Sequence, residues 1–459
     1  MAEINFQCKR TVVSTKAVKP GTFYSLSVLD RSMEKNVIRI IYYYHFPSKW
    51  DAGGPTKKLR ESFSELLSSY PIVTGRLQKN PDGHWMIKCN DAGVRWIEAR
   101  AKGSVDEWLQ MADRVQELKL TYREDMFHKP YFWSTFYVQV TEFEGGGLAI
   151  GLSCSHLLAD AACATMLVKA WADTTLLQKI LTPPLFQPLP SSKLSNETTT
   201  HNPFNSLIDH YQSAMSMNQT PPISDPENVK YTSVTFAFSS ENMKRCMADA
   251  RTNGSTTPTP FEALGALLWV CVSNVKGKIN ELLNMSICLD MRNVLGLDKG
   301  FFGNVMVFNK VCGEGLNEVG LVRAARAIAD VVGQMGNKEV MDLIEWLGSG
   351  SGGEKLTHQL PILNGPDLVC VNWDSLAVYA AMFEVRVPPI RVSYYFERVI
   401  GEGQILILSS PEGEGTLSRW AMVTLPEDQA VRLCGENLIL RYSPTIMMGA
   451  PEKNNHTLG

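Results

Sequence analysis

Apolar positions change their spacing along the first third of the chain. The run "LRESFSELLSSY", which starts at Leu59, carries an apolar residue every three or four positions and predicts an amphipathic helix. Residues 132–156, "FWSTFYVQVTEFEGGGLAIGLSCSH", have the pattern of two strands joined by a glycine-rich turn. Residues 160–176, "DAACATMLVKAWADTTL", have helical composition. The pattern therefore predicts a strand that delivers His156 and a helix that follows it closely.

Regular spacing is lost between residues 182 and 229, where Pro, Ser, Thr and Asn dominate. Such a composition predicts a crossover between two halves of the chain. Beyond it, "YTSVTFAFS" predicts a strand and "TPTPFEALGALLWVCVSNV" a helix that begins with proline. Four strand-like runs follow: "DLVCVNW", "PIRVSYYFERV", "GQILILSS" and "RWAMVTL". The sequence thus predicts an α+β protein with mixed halves at 1–181 and 230–459, joined by a crossover at 182–229.

Composition narrows the class of protein. A chain of 459 residues exceeds one ordinary core, and 44% hydrophobic with 20% charged residues is typical of a globular protein. A net charge of -3, without a long basic run, gives no argument for a nucleic-acid partner. The ten cysteines are scattered without a CxxC pair, which indicates reduced thiols. No apolar run has the length of a signal core or a membrane helix, so we expect a cytoplasmic protein without membrane insertion.

The segment "SHLLAD" at 155–160 holds the candidate chemistry. A histidine can accept a proton near neutral pH, and the end of a strand is a common place for an active-site group. Asp160, one helical turn further on, can hydrogen-bond to it or hold the local backbone. On spacing alone, a helix N-terminus that happens to contain a histidine is the stronger interpretation. No nucleophile is indicated, because Gly-x-Ser-x-Gly is absent and Cys154 shows no sign of activation.

Further motifs give the histidine more weight. In chain order the sequence contains "YSLSVLD" at 24–30, "YPIVTGRL" at 70–77, "SHLLAD", "TPFEALGALLWVC" and "LDMRNVLGLDKGFFGN" at 289–304. Together they resemble the motifs of the plant BAHD acyl-CoA-dependent acyltransferases, including His-x-x-x-Asp and Asp-x-Arg. The resemblance spans nearly the full length and keeps the family's order.

The resemblance implies a fold and a set of roles. It implies two chloramphenicol-acetyltransferase-like domains around a central solvent channel, which CoA enters from one side and an acceptor from the other. It implies that His156 is the general base, that Trp373 lies at the reacting thioester as a second catalytic group, and that Asp160 is structural and pairs with Arg292. An acyl-CoA is then the small-molecule substrate, and no cofactor or metal is expected. We expect a monomer, and the substrate-binding residues stay unassigned.

One motif of the family is missing. Where the family carries Asp-Phe-Gly-Trp-Gly, residues 382–386 read "MFEVR", and only Phe383 matches. Glu384 and Arg386 replace two glycines, which removes backbone freedom and predicts a changed path for this segment. The change is either neutral drift in a surface strand or a sign of an altered reaction. Two divergent groups of the family lack the motif, the coumarin synthases and the Eceriferum/Glossy wax proteins.

Three functions remain at this point. The first is an ordinary transferase, in which His156 deprotonates an alcohol or amine that attacks the thioester. The second is a coumarin-synthase-type reaction, in which an ortho-hydroxycinnamoyl-CoA isomerises and closes on itself. The third is a non-catalytic partner in very-long-chain fatty-acid elongation. The missing motif favours the second, since a nucleophile that shares a molecule with the thioester needs no separate positioning.

Overall fold

In a computed structural model, the chain folds into sixteen strands and twelve helices over the described residues, which are 3–34, 36–45, 54–124, 129–190, 205–217, 229–251, 257–278, 281–313, 320–349, 366–397, 399, 401–411 and 413–447. The strands are β1 (Ile4–Val12), β2 (Phe23–Ser25), β3 (Val37–Tyr44), β4 (Arg76–Lys79), β5 (Trp85–Lys88), β6 (Val94–Ala101), β7 (Phe136–Phe143), β8 (Leu148–Ser155), β9 (Tyr231–Phe238), β10 (Met285–Asp290), β11 (Met306–Val311), β12 (Leu368–Trp373), β13 (Arg391–Glu397), β14 (Gln404–Ser409), β15 (Arg419–Pro426) and β16 (Thr445–Met447). The helices are α1 (Val28–Ser32), α2 (Gly54–Leu67), α3 (Val105–Met111), α4 (Arg114–Leu118), α5 (Ala161–Leu177), α6 (Ser206–Met217), α7 (Ser240–Asp249), α8 (Pro260–Val275), α9 (Leu321–Gly333), α10 (Asn337–Gly348), α11 (Glu427–Cys434) and α12 (Asn437–Leu440).

Two mixed sheets organise these elements. The first sheet has the order β1-β6-β7-β8-β3-β13, and only β6 and β7 run parallel in it. The second sheet has the order β11-β10-β12-β14-β15-β9-β16, with a parallel centre of β10, β12 and β14. A small sheet, β2-β5-β4, stands apart from both. The predicted α+β class with two mixed sheets and helices is therefore confirmed.

Local sequence explains where the main helices begin. Asp160 caps α5 by accepting the Cys163 N–H at 2.9 Å, and Thr259 and Glu262 form a reciprocal capping box at α8. Pro260 occupies the first turn of α8, where its missing N–H leaves no hydrogen bond unmade. Helices are found at each of the positions that the apolar spacing predicts, and α2 starts before the predicted run, at Gly54. Polar capping residues thus fix where α5 and α8 begin, which the apolar pattern alone does not define.

The predicted crossover contains regular structure that its composition did not indicate. Helix α6 lies within it and buries Leu207 and Tyr211, and the Tyr211 hydroxyl accepts the Phe308 N–H at 3.3 Å. Residues 191–204 and 218–228 of the crossover lie outside the described residues. Helix α6 packs against β11 and α10, so this part of the crossover belongs to the second sheet's side of the molecule.

One strand from the second half of the chain joins the first sheet. Strand β13 pairs antiparallel with β3 over its whole length, from Arg391 opposite Tyr43 to Glu397 opposite Val37. The two predicted segments, 1–181 and 230–459, remain a prediction as domains, but sheet membership does not follow that boundary. A pairing between residues some 350 positions apart leaves no local signal in the sequence. Through β3, it brings β13 near the end of β8.

The described helices include none that is both long and apolar enough to span a bilayer. All ten cysteines are free thiols, and seven of them are buried.

Candidate active site

His156 lies one residue beyond the end of β8, between the two sheets. Its backbone N–H donates to the Asn36 carbonyl at 2.9 Å, and its carbonyl accepts the Asn304 side-chain N–H at 2.8 Å. Only 1% of the residue is exposed. Burial lowers the pKa of His156 below its ordinary value, although the Asp160 carboxylate opposes that shift. The imidazole is therefore neutral near pH 7, which is the form that can accept a proton.

Asp160 is fully engaged as a hydrogen-bond acceptor. Besides capping α5, it accepts the Val305 N–H at 3.1 Å, and the Arg292 guanidinium contacts its two oxygens at 3.0 and 2.9 Å. Burial opposes ionisation, but Arg292 and the two backbone N–H groups outweigh it and hold the pKa of Asp160 below its ordinary value. Within the described part of the chain, none of the hydrogen bonds of Asp160 goes to the imidazole. The structure thus places Asp160 and Arg292 in the predicted ion pair.

Arg292 follows β10 and fastens that turn to α5. It donates to Asp290 at 2.9 Å and to the Gly303 carbonyl at 2.7 Å, and one amino group lies 3.2 Å from the Cys163 sulfur. The guanidinium therefore joins the first turn of α5 to two separate loops of the second half of the chain. Arg292 is a connecting group, and it makes no hydrogen bond to His156 in the described residues.

A second link joins two of the sequence motifs. Asp30, the last residue of "YSLSVLD", accepts the backbone N–H of Asn304 at 2.8 Å and its side-chain N–H at 2.7 Å. It also accepts the Ser27 N–H at 2.7 Å, and burial raises its pKa. Asn304 ends the "FFGN" motif and donates a hydrogen bond to the His156 carbonyl. Asp30 thus positions Asn304, and Asn304 positions the backbone of His156. This role had no signal in the sequence beyond the motif itself.

A chain of aromatic rings begins at the imidazole and runs through Phe396 to Trp373 and Tyr394. Trp373, the last residue of β12, is 2% exposed, with its ring centroid 5.2 Å from that of Tyr394 and 6.2 Å from that of Phe396. The Phe396 ring lies 5.1 Å from the imidazole in an edge-on contact. Phe396 therefore contacts both of the predicted catalytic residues. In this conformation His156, Phe396 and Trp373 are all buried.

Two polar atoms of this aromatic cluster are buried without a partner. Neither His156 Nδ1 nor Trp373 Nε1 has a hydrogen bond to any part of the chain that the structure describes. A buried polar group without a partner costs about 1–3 kcal/mol. A bound substrate that supplied these hydrogen bonds would recover that free energy.

Cys154 and metal chemistry find no support as alternatives. Cys154 is buried in β8, and burial raises the pKa of its thiol far above neutrality, which keeps it a poor nucleophile. Among the described residues, no group of three or more His, Cys, Asp and Glu side chains could hold a metal ion. The expectation of a chain without metal or cofactor stays a prediction.

The "MFEVR" segment keeps a tight turn. Phe383 is buried, with its ring 4.7 Å from that of Trp171 and 5.7 Å from that of Tyr44. The Val387 N–H donates to the Glu384 carbonyl at 3.1 Å, and between them Arg386 has a φ of 63°. Glycine adopts this left-handed conformation most easily, and Arg386 occupies the position of the motif's last glycine. The substitution has not moved this residue into the ordinary φ range.

Two mixed sheets, with a buried histidine and the Asp160–Arg292 pair, form the arrangement that the motifs predict for an acyltransferase. Residues 2–434 match the model of the Transferase family, and the chain belongs to that family, the BAHD acyltransferases. It is a plant-type member and an acyltransferase enzyme, as the motifs predict.

Relatives and solved structures agree with this assignment. The chain is 27% identical to rosmarinate synthase from Plectranthus scutellarioides over 422 residues, covering 89% of this chain and 93% of the relative. It is 24% identical to Protein ECERIFERUM 26 from Arabidopsis thaliana over 428 residues, covering 92% of each. The crystal structure of vinorine synthase matches with a TM-score of 0.68 and 18% identity, over 95% of this chain and 98% of that one. At that identity the structural match supports the fold.

Proposed function

We propose that this enzyme acts on a hydroxycinnamoyl-CoA thioester with His156 as general base, and that the attacking hydroxyl is the substrate's own ortho phenol. The observation that carries the proposal is the closed aromatic site. His156 is 1% exposed, and its imidazole contacts the Phe396 ring, which in turn contacts Trp373; such surroundings suit a planar aromatic acyl group and exclude water. A reaction within one molecule requires no space for a separate acceptor.

The chemistry balances with this chain's own residues. Neutral His156 takes the phenol proton, which pushes electron density into the side chain and eases rotation of its double bond from trans to cis. The phenoxide oxygen then attacks the thioester carbonyl, the C–S bond breaks, and the leaving CoA sulfur takes the proton back from the imidazolium. The products are a lactone and free CoA. The unpaired Trp373 N–H is the group that could donate to an oxygen or sulfur of the thioester.

Incubation of the purified enzyme with 2-hydroxyferuloyl-CoA in the dark tests the proposal. We expect coumarin to form faster than in an enzyme-free control and in the same reaction with His156→Ala. Coumarin that the wild-type enzyme forms only at the rate of the enzyme-free control would refute the proposal. Parallel reactions with acetyl-, malonyl- and very-long-chain acyl-CoA, each with and without a shikimate- or amine-type acceptor, separate the alternatives.

Transfer to a separate acceptor is the second candidate. It is supported by relatives named rosmarinate synthase and, in Nicotiana tabacum, shikimate O-hydroxycinnamoyltransferase, the latter 24% identical over 85% of this chain. In this case the same imidazole deprotonates an alcohol or amine from a second molecule. Product that forms only when an acceptor is present would select this candidate.

The third candidate is a non-catalytic partner in fatty-acid elongation, which the likeness to ECERIFERUM 26 supports. The presence of His156 and Trp373 and the complete Asp160–Arg292 pair argue against it. Inertness with every thioester, together with co-purification with an elongase, would select it. In all three cases we further propose a monomer in the cytoplasm, which light scattering on the purified chain and a fluorescent fusion would test.

A further inference from the structure

Strand β13 presents two faces with different surroundings. On one face, Ser393 donates to the buried carboxylate of Glu117 at 2.9 Å, and the Tyr395 hydroxyl donates to the same carboxylate. At the end of this face, Glu397 pairs with Arg39 at 2.8 Å. Together with the antiparallel pairing to β3, these contacts hold the strand firmly on the first sheet.

The opposite face of β13 points toward the active site. Tyr394 shares a hydrogen bond of 2.8 Å with Thr165 on α5, and its ring contacts Trp373. Phe396 lies two residues further along on the same face, as the alternation of a strand requires, and is 3% exposed. Because the strand is held by its other face and by β3, the backbone of Phe396 is fixed and its ring is the part that a substrate would meet.

We propose that Phe396 is the residue that selects the acyl group and shields His156 from water. This inference rests on the proposed function and refines it by naming what limits the substrate. An acyl group that reaches the imidazole has to pack against the Phe396 ring, which contacts both His156 and Trp373. A flat aromatic acyl group can pack against that ring face to edge, whereas a short acyl group leaves a gap that water fills.

A chemical measurement tests the shielding without any need for turnover. Diethyl pyrocarbonate modifies accessible histidines, and His45, whose side chain is 53% exposed, is the internal reference in the same molecule. We expect Phe396→Ala to speed modification of His156 relative to His45 by about tenfold or more. Phe383→Ala is the matched control, since Phe383 is equally buried but contacts Tyr44 and Trp171. His156 reacting no faster in Phe396→Ala than in the control would overturn the shielding role.

Donor selectivity tests the second part of the proposal. We expect Phe396→Leu to lower the ratio of kcat/KM for hydroxycinnamoyl-CoA to that for acetyl- or octanoyl-CoA by about three- to tenfold, while Phe383→Leu leaves the ratio unchanged. Phe396→Tyr keeps the ring and should retain the ratio. An equal loss for all donors would show a merely structural role and overturn the proposal. If Phe396→Ala fails to fold, Phe396→Leu replaces it in the modification experiment.

The two experiments separate this inference from the proposed function. If the wild-type enzyme turns over no thioester, the proposed function fails, but the modification rate of His156 still decides whether Phe396 shields it. If the wild-type enzyme is active and His156 is no more reactive in the variant, the proposed function stands and this inference fails.

Discussion

The two ends of one five-residue loop have opposite environments. At one end, Asp160 accepts hydrogen bonds from Cys163, Val305 and Arg292, so its charge is fully matched. At the other end, His156 is equally buried, lies against an aromatic ring and leaves Nδ1 without a partner in the described residues. The same loop therefore carries one completed polar site and one incomplete site.

The difference separates fold from function. A buried group whose hydrogen bonds are all made in the free protein has nothing left to offer a substrate, and removing it damages the fold. A buried group with an unmade hydrogen bond costs stability in the free protein and gains it when a ligand binds. The comparison supports the proposal that Asp160 is structural and that His156 performs the chemistry. Substitutions at the two residues should therefore affect rate and stability differently.

Substitution of His156 should have the largest effect, on rate alone. His156→Ala removes the proposed base, and loss of general-base catalysis lowers kcat by about 10²–10⁴-fold. The free energy of unfolding should change much less than on loss of Asp160, because no buried hydrogen bond of the imidazole Nδ1 is broken. Steady-state kinetics and urea denaturation of one preparation measure both quantities. Wild-type turnover in the variant would remove His156 from the mechanism.

Loss of Asp160 should reverse that pattern. Asp160→Ala leaves Arg292 buried beside Cys163 without its main counter-ion, and breaking a buried pair in this way costs about 3–5 kcal/mol of unfolding free energy. The matched control is Asp113→Ala, which removes another aspartate cap, from α4, with a cost of about 1 kcal/mol. Urea denaturation compares the two. A stable Asp160→Ala protein with only a rate defect would mean that Asp160 orients the base directly.

Most of the candidate site residues could be predicted from the sequence, but one could not. The sequence identified His156, Asp160, Arg292 and Trp373, because each lies in a short motif that resembles one of the family's motifs. Phe396 was missed because an aromatic residue in a strand is the ordinary content of a core. Its role depends on β13 pairing with β3, and such long-range pairing has no local signature.

In the fold too, the elements set by local apolar spacing were predictable from the sequence, and the contacts between distant residues were not. Helices and strands with clear apolar spacing lie where the sequence predicts them, since burial of one face is a local pattern. Helix α6 was missed because polar and proline-rich neighbours hide its short apolar face, of which Leu207 and Tyr211 are buried. The Asp30–Asn304 link was equally invisible, since each partner is a small polar residue in a loop until the two halves meet.

As the pH falls, His156 should become protonated before Asp160. Burial lowers the pKa of His156, so kcat/KM should stay level as the pH falls through 6.5 and decline about tenfold per pH unit only below the lowered value. The buried neutral imidazole contributes stability above its unfolded pKa, and that contribution is lost as the pH falls through the folded one. Asp160, whose pKa is lowered by Arg292, loses its contribution only at more acidic pH, below its ordinary value of 3.8.

A pH series of initial rates and of thermal unfolding checks this order. We expect the rate to fall before the main loss of stability, and Phe396→Ala to move the acid limb of the rate up toward pH 6.5 as water reaches the imidazole. A limb above pH 6.5 in the wild-type enzyme would contradict the burial effect. Loss of rate and stability in a single step would contradict the separation of the two ends.

The smallest effect should come from "MFEVR", which lies outside both ends of the loop. Arg386 holds a φ of 63°, which costs a residue with a side chain about 1–2 kcal/mol, while glycine is freer in the unfolded chain by up to about 1 kcal/mol. Arg386→Gly should therefore raise the free energy of unfolding by about 0.5–1 kcal/mol. Gln178→Gly, at the left-handed end of α5 with a φ of 55°, is the control and should gain a similar amount.

Kinetics on the full replacement then decide whether the missing motif matters. Phe383 anchors the segment in the core against Trp171 and Tyr44, while Val385 at the turn is 71% exposed, so a replacement there can change the turn without unpacking its anchor. If the segment takes part in CoA binding, restoring Asp-Phe-Gly-Trp-Gly at 382–386 should change the KM for the thioester more than kcat, because a segment that supplies no proposed catalytic group acts on binding before chemistry. Steady-state rates with the thioester varied, and products resolved by chromatography, give both constants and the ratio of lactone to transferred ester. Constants and ratio that match those of Arg386→Gly would show that the rest of the motif has drifted without consequence for the reaction.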